Sequence, residues 1–171
     1  MYKRTFQQKR RTIKIAPNGE LYTTESDIQI QCVSAFRVMF STYADDLFSI
    51  PNGARVGGKI GRDGFPVAAK ILKAEGMKSG VADLMFAVPL HGFAGLYIEM
   101  KSPVGSLDPD QREFLKRRAA VGYAVEVCKS IDEFIDVVTA YINGTFRQLP
   151  IWELRFNRKN FLKKHPENLP G

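Results

Sequence analysis

Within residues 24–43, apolar side chains recur at Ile28, Cys32, Phe36, Met39, Phe40 and Tyr43, three or four positions apart. That spacing lines one face of a helix, with Thr24 placed to cap its start. The stretch 47–53, "LFSIPNG", reads as a short strand stopped by Pro51-Asn52-Gly53. Residues 66–76, "PVAAKILKAEG", open on proline and close on glycine, the punctuation of a short helix. Residues 83–101, "DLMFAVPLHGFAGLYIEMK", alternate in the manner of a hairpin turning at His91-Gly92. A helix is predicted over 108–122, capped by Asp108, with Pro109 at its first position and Gln111 where a capping box takes Glu or Gln. "YAVEVC" (123–128) predicts a strand, and 130–144 a last helix with a Ser130–Glu133 capping box and an Asn-Gly stop. The order α-β-α-β-β-α-β-α, without internal repeats, predicts one α/β domain built on a mixed sheet.

The hairpin register matters most. Turning at His91 sets Leu84 opposite Ile98 and Phe86 opposite Leu96, which makes one apolar face. The same register sets Asp83 opposite Glu99, and residues two apart on a strand share a side, so Lys101 joins them on the other face. Two carboxylates held together repel, and partial burial raises the cost. A hard divalent cation relieves both, since Mg²⁺ takes oxygen ligands and often one or two carboxylates. From these residues alone a plain Glu99–Lys101 salt bridge, with Asp83 ending a strand, accounts for the pattern equally well.

Composition and charge narrow the setting. With 171 residues, 44% of them hydrophobic and 12 Phe, the chain has the length and apolar content of a single packed domain. No apolar run nears the ~20 residues of a membrane span, and the charged N-terminus lacks the apolar stretch of a secretory signal. The only cysteines are Cys32 and Cys128 and the only histidines His91 and His165, without metal-ligand spacing; zinc is not expected, and both thiols are expected reduced and buried in a cytoplasmic setting. Residues 1–20 carry six Lys/Arg and one Glu, and 144–171 carry six Lys/Arg and two Glu. Removing those +5 and +4 from the formal +7 leaves 21–143 at −2. A slightly acidic body (21–144) is thus expected between a basic N-terminal arm (1–20) and a basic, aromatic C-terminal tail (145–171). Such arms suit a polyanion; solvated tails or an interface with a second subunit fit them as well. The glycine-rich segment 55–64 lacks the G-K-[ST] ending of a P-loop.

Asp83 followed by Glu99-Met100-Lys101 resembles the D…(D/E)-x-K signature of the PD-(D/E)XK nuclease superfamily. More narrowly, "ESDIQ", "SGVADLMF" and "GLYIEMKSPVGSLDPDQREFLKRRAAVGYAVEVCKS" resemble the virus-type replication-repair nuclease domain, VRR-NUC, from about Glu25 to Tyr141. The one visible departure is Ala82, where that family usually has proline before the aspartate; proline there would donate no ligand. The resemblance implies a restriction-endonuclease-like core. Asp83 and Glu99 would be metal ligands, with the Met100 carbonyl adding an oxygen and Glu25 a further acid; Lys101 would be the catalytic lysine, and Gln111 a site glutamine. Gln111 also fits the capping box, and one side chain is not expected to serve both ends. Glu25 equally suits a helix N-terminus as an anion, and Gln29, one turn on, would face DNA. In the same context Arg55, Lys59 and Arg62 resemble flexible DNA-backbone contacts, and a plain surface loop accounts for them equally well. Gly80 would let the backbone turn into the strand. The implied activity is Mg²⁺- or Mn²⁺-dependent hydrolysis of DNA phosphodiesters, by a homodimer acting on branched DNA such as Holliday junctions in repair, in a bacterium or phage-infected cell. Flap, single-strand or end processing by the same fold, a restriction-type role, and a non-catalytic DNA-binding module are the alternatives.

Overall fold

The computed structural model describes residues 13–15, 21–51 and 67–150. The elements are β1 (Ile13–Ile15), β2 (Leu21–Thr23), α1 (Glu25–Met39), a 3₁₀ turn (Ser41–Tyr43), β3 (Leu47–Ser49), α2 (Val67–Ala74), β4 (Leu84–Phe86), β5 (Leu96–Met100), α3 (Pro109–Ala120), β6 (Ala124–Cys128) and α4 (Ile131–Ile142). From α1 onward the order is the expected one. The addition is an antiparallel pair, β1 with β2, in a region where the sequence suggests mainly a basic arm. Arg55, Lys59 and Arg62 lie outside the described residues, as do residues 1–12 and the tail from 151.

The main sheet runs β3-β4-β5-β6, antiparallel except for the parallel β5–β6 pair. It is the mixed sheet expected. Leu84 pairs with Ile98 and Phe86 with Leu96, the register that the apolar pattern demands. Side-chain alternation then sorts the two faces. Leu84, Phe86, Leu96, Ile98 and Met100 pack with Ile28, Cys32 and Phe36 of α1 and with Phe134, Val138 and Tyr141 of α4. Edge-to-face ring contacts, Phe36 to Phe86 at 5.3 Å and Phe86 to Tyr141 at 5.6 Å, tie the layers together. On the opposite face, Val125 and Ala82 pack with Leu107, Leu115 and Leu149, and Tyr97, Phe114 and Val127 flank that second core. The hairpin turns through Leu90↔Phe93, with His91 at φ 49° and Gly92 at φ 85°, a backbone that favours glycine at the second position.

The chain departs from expectation at two element ends. The first helix stops at Met39 instead of running to Tyr43, because Phe40 leaves helical geometry (φ −120°, ψ 50°) while its N–H caps the Phe36 carbonyl. Met39 is therefore 58% exposed, whereas Phe40 and Tyr43 reach the core from outside the helix. In α4 the Ser130 hydroxyl accepts from the Glu133 N–H as expected, but the Glu133 carboxylate takes the Lys129 N–H, one residue further out than a capping box requires. The chain just past α4 also packs on the domain. Phe146 and Leu149 are buried, and the Gln148 carboxamide accepts from the Val125 N–H and donates to its carbonyl, so 145–150 pack on the domain.

Cys32 and Cys128 are buried thiols outside any disulfide, and burial pushes the Cys32 thiol up to about 12. That thiol is unreactive. Among the described residues no helix is long and apolar enough to cross a membrane.

Candidate active site

β5 carries the centre of the site because its odd positions face away from the α1/α4 core. Glu99 is fully buried and Lys101 is 7% exposed. Lys101 Nζ lies 2.7 Å from Glu99 Oε1. Asp83 stands at the start of β4; its backbone carbonyl accepts from Ile50 N–H, and its Oδ2 accepts from Met100 N–H at 2.8 Å. The hairpin register thus brings Asp83 to the end of β5 that bears Glu99 and Lys101. Glu25, first residue of α1, reaches the same place: its Oε1 accepts from the Ser102 N–H at 3.1 Å. Here Glu25 is more than an anion at its own helix N-terminus, because it fastens α1 to the chain directly after the lysine.

Gln111 supplies the clearest correction. Its Oε1 accepts from the Asp108 N–H at 3.0 Å, closing the capping box, while its Nε2 donates to Glu99 Oε1. One carboxamide serves both ends because oxygen and nitrogen point in different directions. Gln111→Ala is accordingly expected to cost about 1–2 kcal/mol of stability through removal of the cap and the hydrogen bond, read as a lowered urea midpoint at unchanged slope.

The electrostatics show a site short of positive charge. Burial raises the Glu99 carboxyl to about 8, the Asp83 charge adds to the rise, and Lys101 pulls it partly back. Burial alone would lower the Lys101 ammonium; the hydrogen bond and charge of Glu99, then Glu25 and Asp83, outweigh it and raise it. Both shifts have one sense, since three carboxylates face one ammonium and the site retains protons. Glu99 Oε2 is buried and has no hydrogen-bond partner among the described residues. An orphaned carboxyl oxygen beside further carboxylates is what a hard cation takes once it displaces the proton, so the donor set fits a divalent metal. The fit is through two carboxylates at a time, completed by backbone oxygen or water. Among the described residues no three His, Cys, Asp or Glu side chains gather as a ready-made site.

Other expected residues fall around this centre or away from it. Met100 buries its side chain in the opposite core, leaving its backbone at the site. Gln29 is half-buried, one turn along α1 from Glu25. Gly80, at φ +74°, bends the chain into β4; a Cβ there would lie 2.6 Å from Asp110 Cβ, so only glycine lets the segment approach α3. Sequence reasoning missed Lys129, whose Nζ donates to the carbonyl of Gly105 at 2.8 Å and, more weakly, to that of Pro103 at 3.4 Å. It holds the 102–107 loop against the site. No local pattern marks a lysine that ties down a loop 24 residues earlier.

Comparison with known proteins agrees with this geometry. The family model of the VRR-NUC domain matches residues 64–132, a span holding Asp83, Glu99, Lys101 and Gln111. A solved structure described as a VRR_NUC domain protein superposes with a TM-score of 0.59 at 23% identity, covering 75% of this chain and 99% of that one. A search of curated proteins gave no match. Residues 64–132 thus match the VRR-NUC domain, a domain of nuclease type, and the solved structure shares the fold of the mixed sheet and its helices.

Proposed function

We propose that the chain is a Mg²⁺- or Mn²⁺-dependent DNA endonuclease acting on branched DNA, four-way Holliday junctions above all. The observation that carries this reading is the buried Glu99–Lys101 pair, flanked by Asp83 and Glu25, with Glu99 Oε2 left without a partner among the described residues. In the proposal Asp83 and Glu99, with the Met100 carbonyl, hold the cation, and Glu25 assists from α1. The chemistry that the cation supplies when bound is polarisation of the phosphodiester and acidification of water. Lys101 has two N–H donors beyond the one given to Glu99. They position the attacking water and stabilise negative charge growing on the phosphate. Gln111 holds Glu99 through Oε1, so that Oε2 would be the oxygen offered to the cation. Glu25 and Lys129 keep the chain after Lys101 from drifting, which fixes the ammonium relative to the carboxylates.

A homodimer suits a symmetric junction, because two-fold symmetry presents one site to each of two strands. Its interface is proposed in the tail, where Ile151, Trp152, Phe156 and Phe161 lie outside the described residues. Arg55, Lys59, Arg62 and Gln29 are proposed DNA contacts, and the setting is the cytoplasm of a bacterium or phage-infected cell, in DNA repair or replication. The test offers labelled four-way junction, flap, single strand and linear duplex side by side, with Mn²⁺, Mg²⁺ or chelator. Paired symmetric nicks in the junction, absent with chelator, are expected. Preferential cutting of flaps or ends would replace the junction assignment, and metal-independent binding without cutting of any substrate would overturn the enzyme.

A further inference from the structure

A cleft of roughly 620 Å³ opens between α2 and α3, outside the carboxylate site. Lys73, Lys78, Arg117 and Arg118 line it, opposed by Asp110 and Glu113, for a net +2. That is a local excess of positive charge on a body whose residues 21–143 sum to −2. Among the described residues, burial and pairing do not account for Lys73, Lys78 and Arg117, whereas Arg118 is half-buried and meets the Tyr97 side chain. Lys73, Lys78 and Arg117 are exposed. The Arg117–Glu113 pair, at 3.6 Å between two largely exposed side chains, yields easily to a better anion. Arg118 lies over the Phe114 ring at 5.5 Å, and its Nε is buried with no hydrogen-bond acceptor among the described residues.

The position of the cleft gives the charge a use. Its walls include Ser79 and Val81, which flank Gly80 on the approach to Asp83, and Asp110, the neighbour of Gln111. It therefore begins where two elements of the active site begin. From Asp110 to Arg117 it follows two turns of α3, about 10 Å at 1.5 Å per residue, or about three phosphates of one DNA strand at 3.4 Å each.

We propose that this cleft holds the sugar–phosphate backbone of the DNA substrate beside the scissile bond, with Lys78 and Arg117 as principal contacts. The proposal rests on the nuclease reading for its ligand, but its test does not need cleavage. Binding of a labelled four-way junction is measured in chelator across a salt series for the wild type, for Lys78→Gln/Arg117→Gln, and for Arg37→Gln/Lys116→Gln. The last pair removes the same charge from exposed positions outside the cleft. All four residues are surface-exposed, so each variant is expected to fold. The cleft variant should bind about tenfold or more weakly, with a salt slope shallower by about 2, roughly 0.9 for each phosphate no longer neutralised. The control should match the wild type. With Mn²⁺ and a junction titration carried up to saturation, the cleft variant should raise KM and keep kcat. Equal weakening in both variants, or none in either, overturns the cleft. Cleft-dependent binding by a wild type that never cuts supports the cleft and removes the nuclease.

Discussion

Replacing Lys101 by methionine is expected to lower metal-dependent DNA cleavage by about 10²–10⁴-fold, the range for removal of a positioned proton-handling or charge-stabilising group. Methionine keeps much of the lysine stem, so the space beside β5 stays filled. The fold should survive for an electrostatic reason as well. Glu99 already sits at about 8 with Lys101 present. Without the ammonium it moves higher and stays neutral through physiological pH, avoiding an uncompensated buried charge. The informative pair of measurements is therefore single-turnover cleavage alongside a denaturant midpoint. Abolished cleavage with a near-native midpoint assigns Lys101 to the chemistry. Cleavage within about tenfold of wild type would place the catalytic lysine elsewhere.

The second large effect concerns pH. In chelator, wild-type stability should fall as pH rises from about 5 to about 8, by a few kcal/mol, an amount set by linkage. The Glu99 carboxyl is raised in the folded chain, from an ordinary 4.5 to about 8. Between those values the native state binds the proton and the unfolded state does not. The difference in bound protons, unfolded minus folded, is negative, and the free energy of unfolding declines with pH. Below the ordinary value both states are protonated and the contribution is fully present; above about 8 it is gone. Glu99→Gln, permanently neutral, should flatten the slope and be the more stable protein at alkaline pH. Adding Mn²⁺ should restore the wild type there, because a ligand of the native state stabilises it by mass action, and should leave the glutamine variant nearly unmoved. Wild-type stability that climbs with pH over this interval would mean that Glu99 is ionised without metal and that the site is balanced differently.

Much of this site was legible because β5 encodes two surfaces at once. Leu96, Ile98 and Met100 need burial on one side, and that need fixes the register that lands Asp83 beside Glu99 and Lys101. The motif order then pointed to the family that residues 64–132 match. What was not legible depends on distance through space. Glu25 lies 77 positions from the Ser102 N–H that it binds, and a pattern read along the chain has no means of joining them. Gln111 was expected at one end or the other because a local motif treats its side chain as a single partner, whereas the fold uses its oxygen and nitrogen separately. The first helix ended early for a similar reason. Its apolar repeat continues through Phe40 and Tyr43, but the backbone turns there and presents the same rings to the core from a 3₁₀ turn. The β1–β2 pair escaped notice because three-residue strands leave little periodicity, although Asn18-Gly19 between "IKI" and "LYT" is a hairpin signal.

Gln148 ends the sheet. Among the described strands β6 has no neighbour on its outer side, yet the outward N–H and carbonyl of Val125 are both engaged by one carboxamide. A side chain thus imitates the backbone of an absent fifth strand and closes an edge that would otherwise recruit one. Phe146 and Leu149, buried on either side, clamp it in place. A chain cut at 144 would keep every residue of the carboxylate site and still bare that edge, so its characteristic failure would be sticking to copies of itself through β6 before any loss of chemistry.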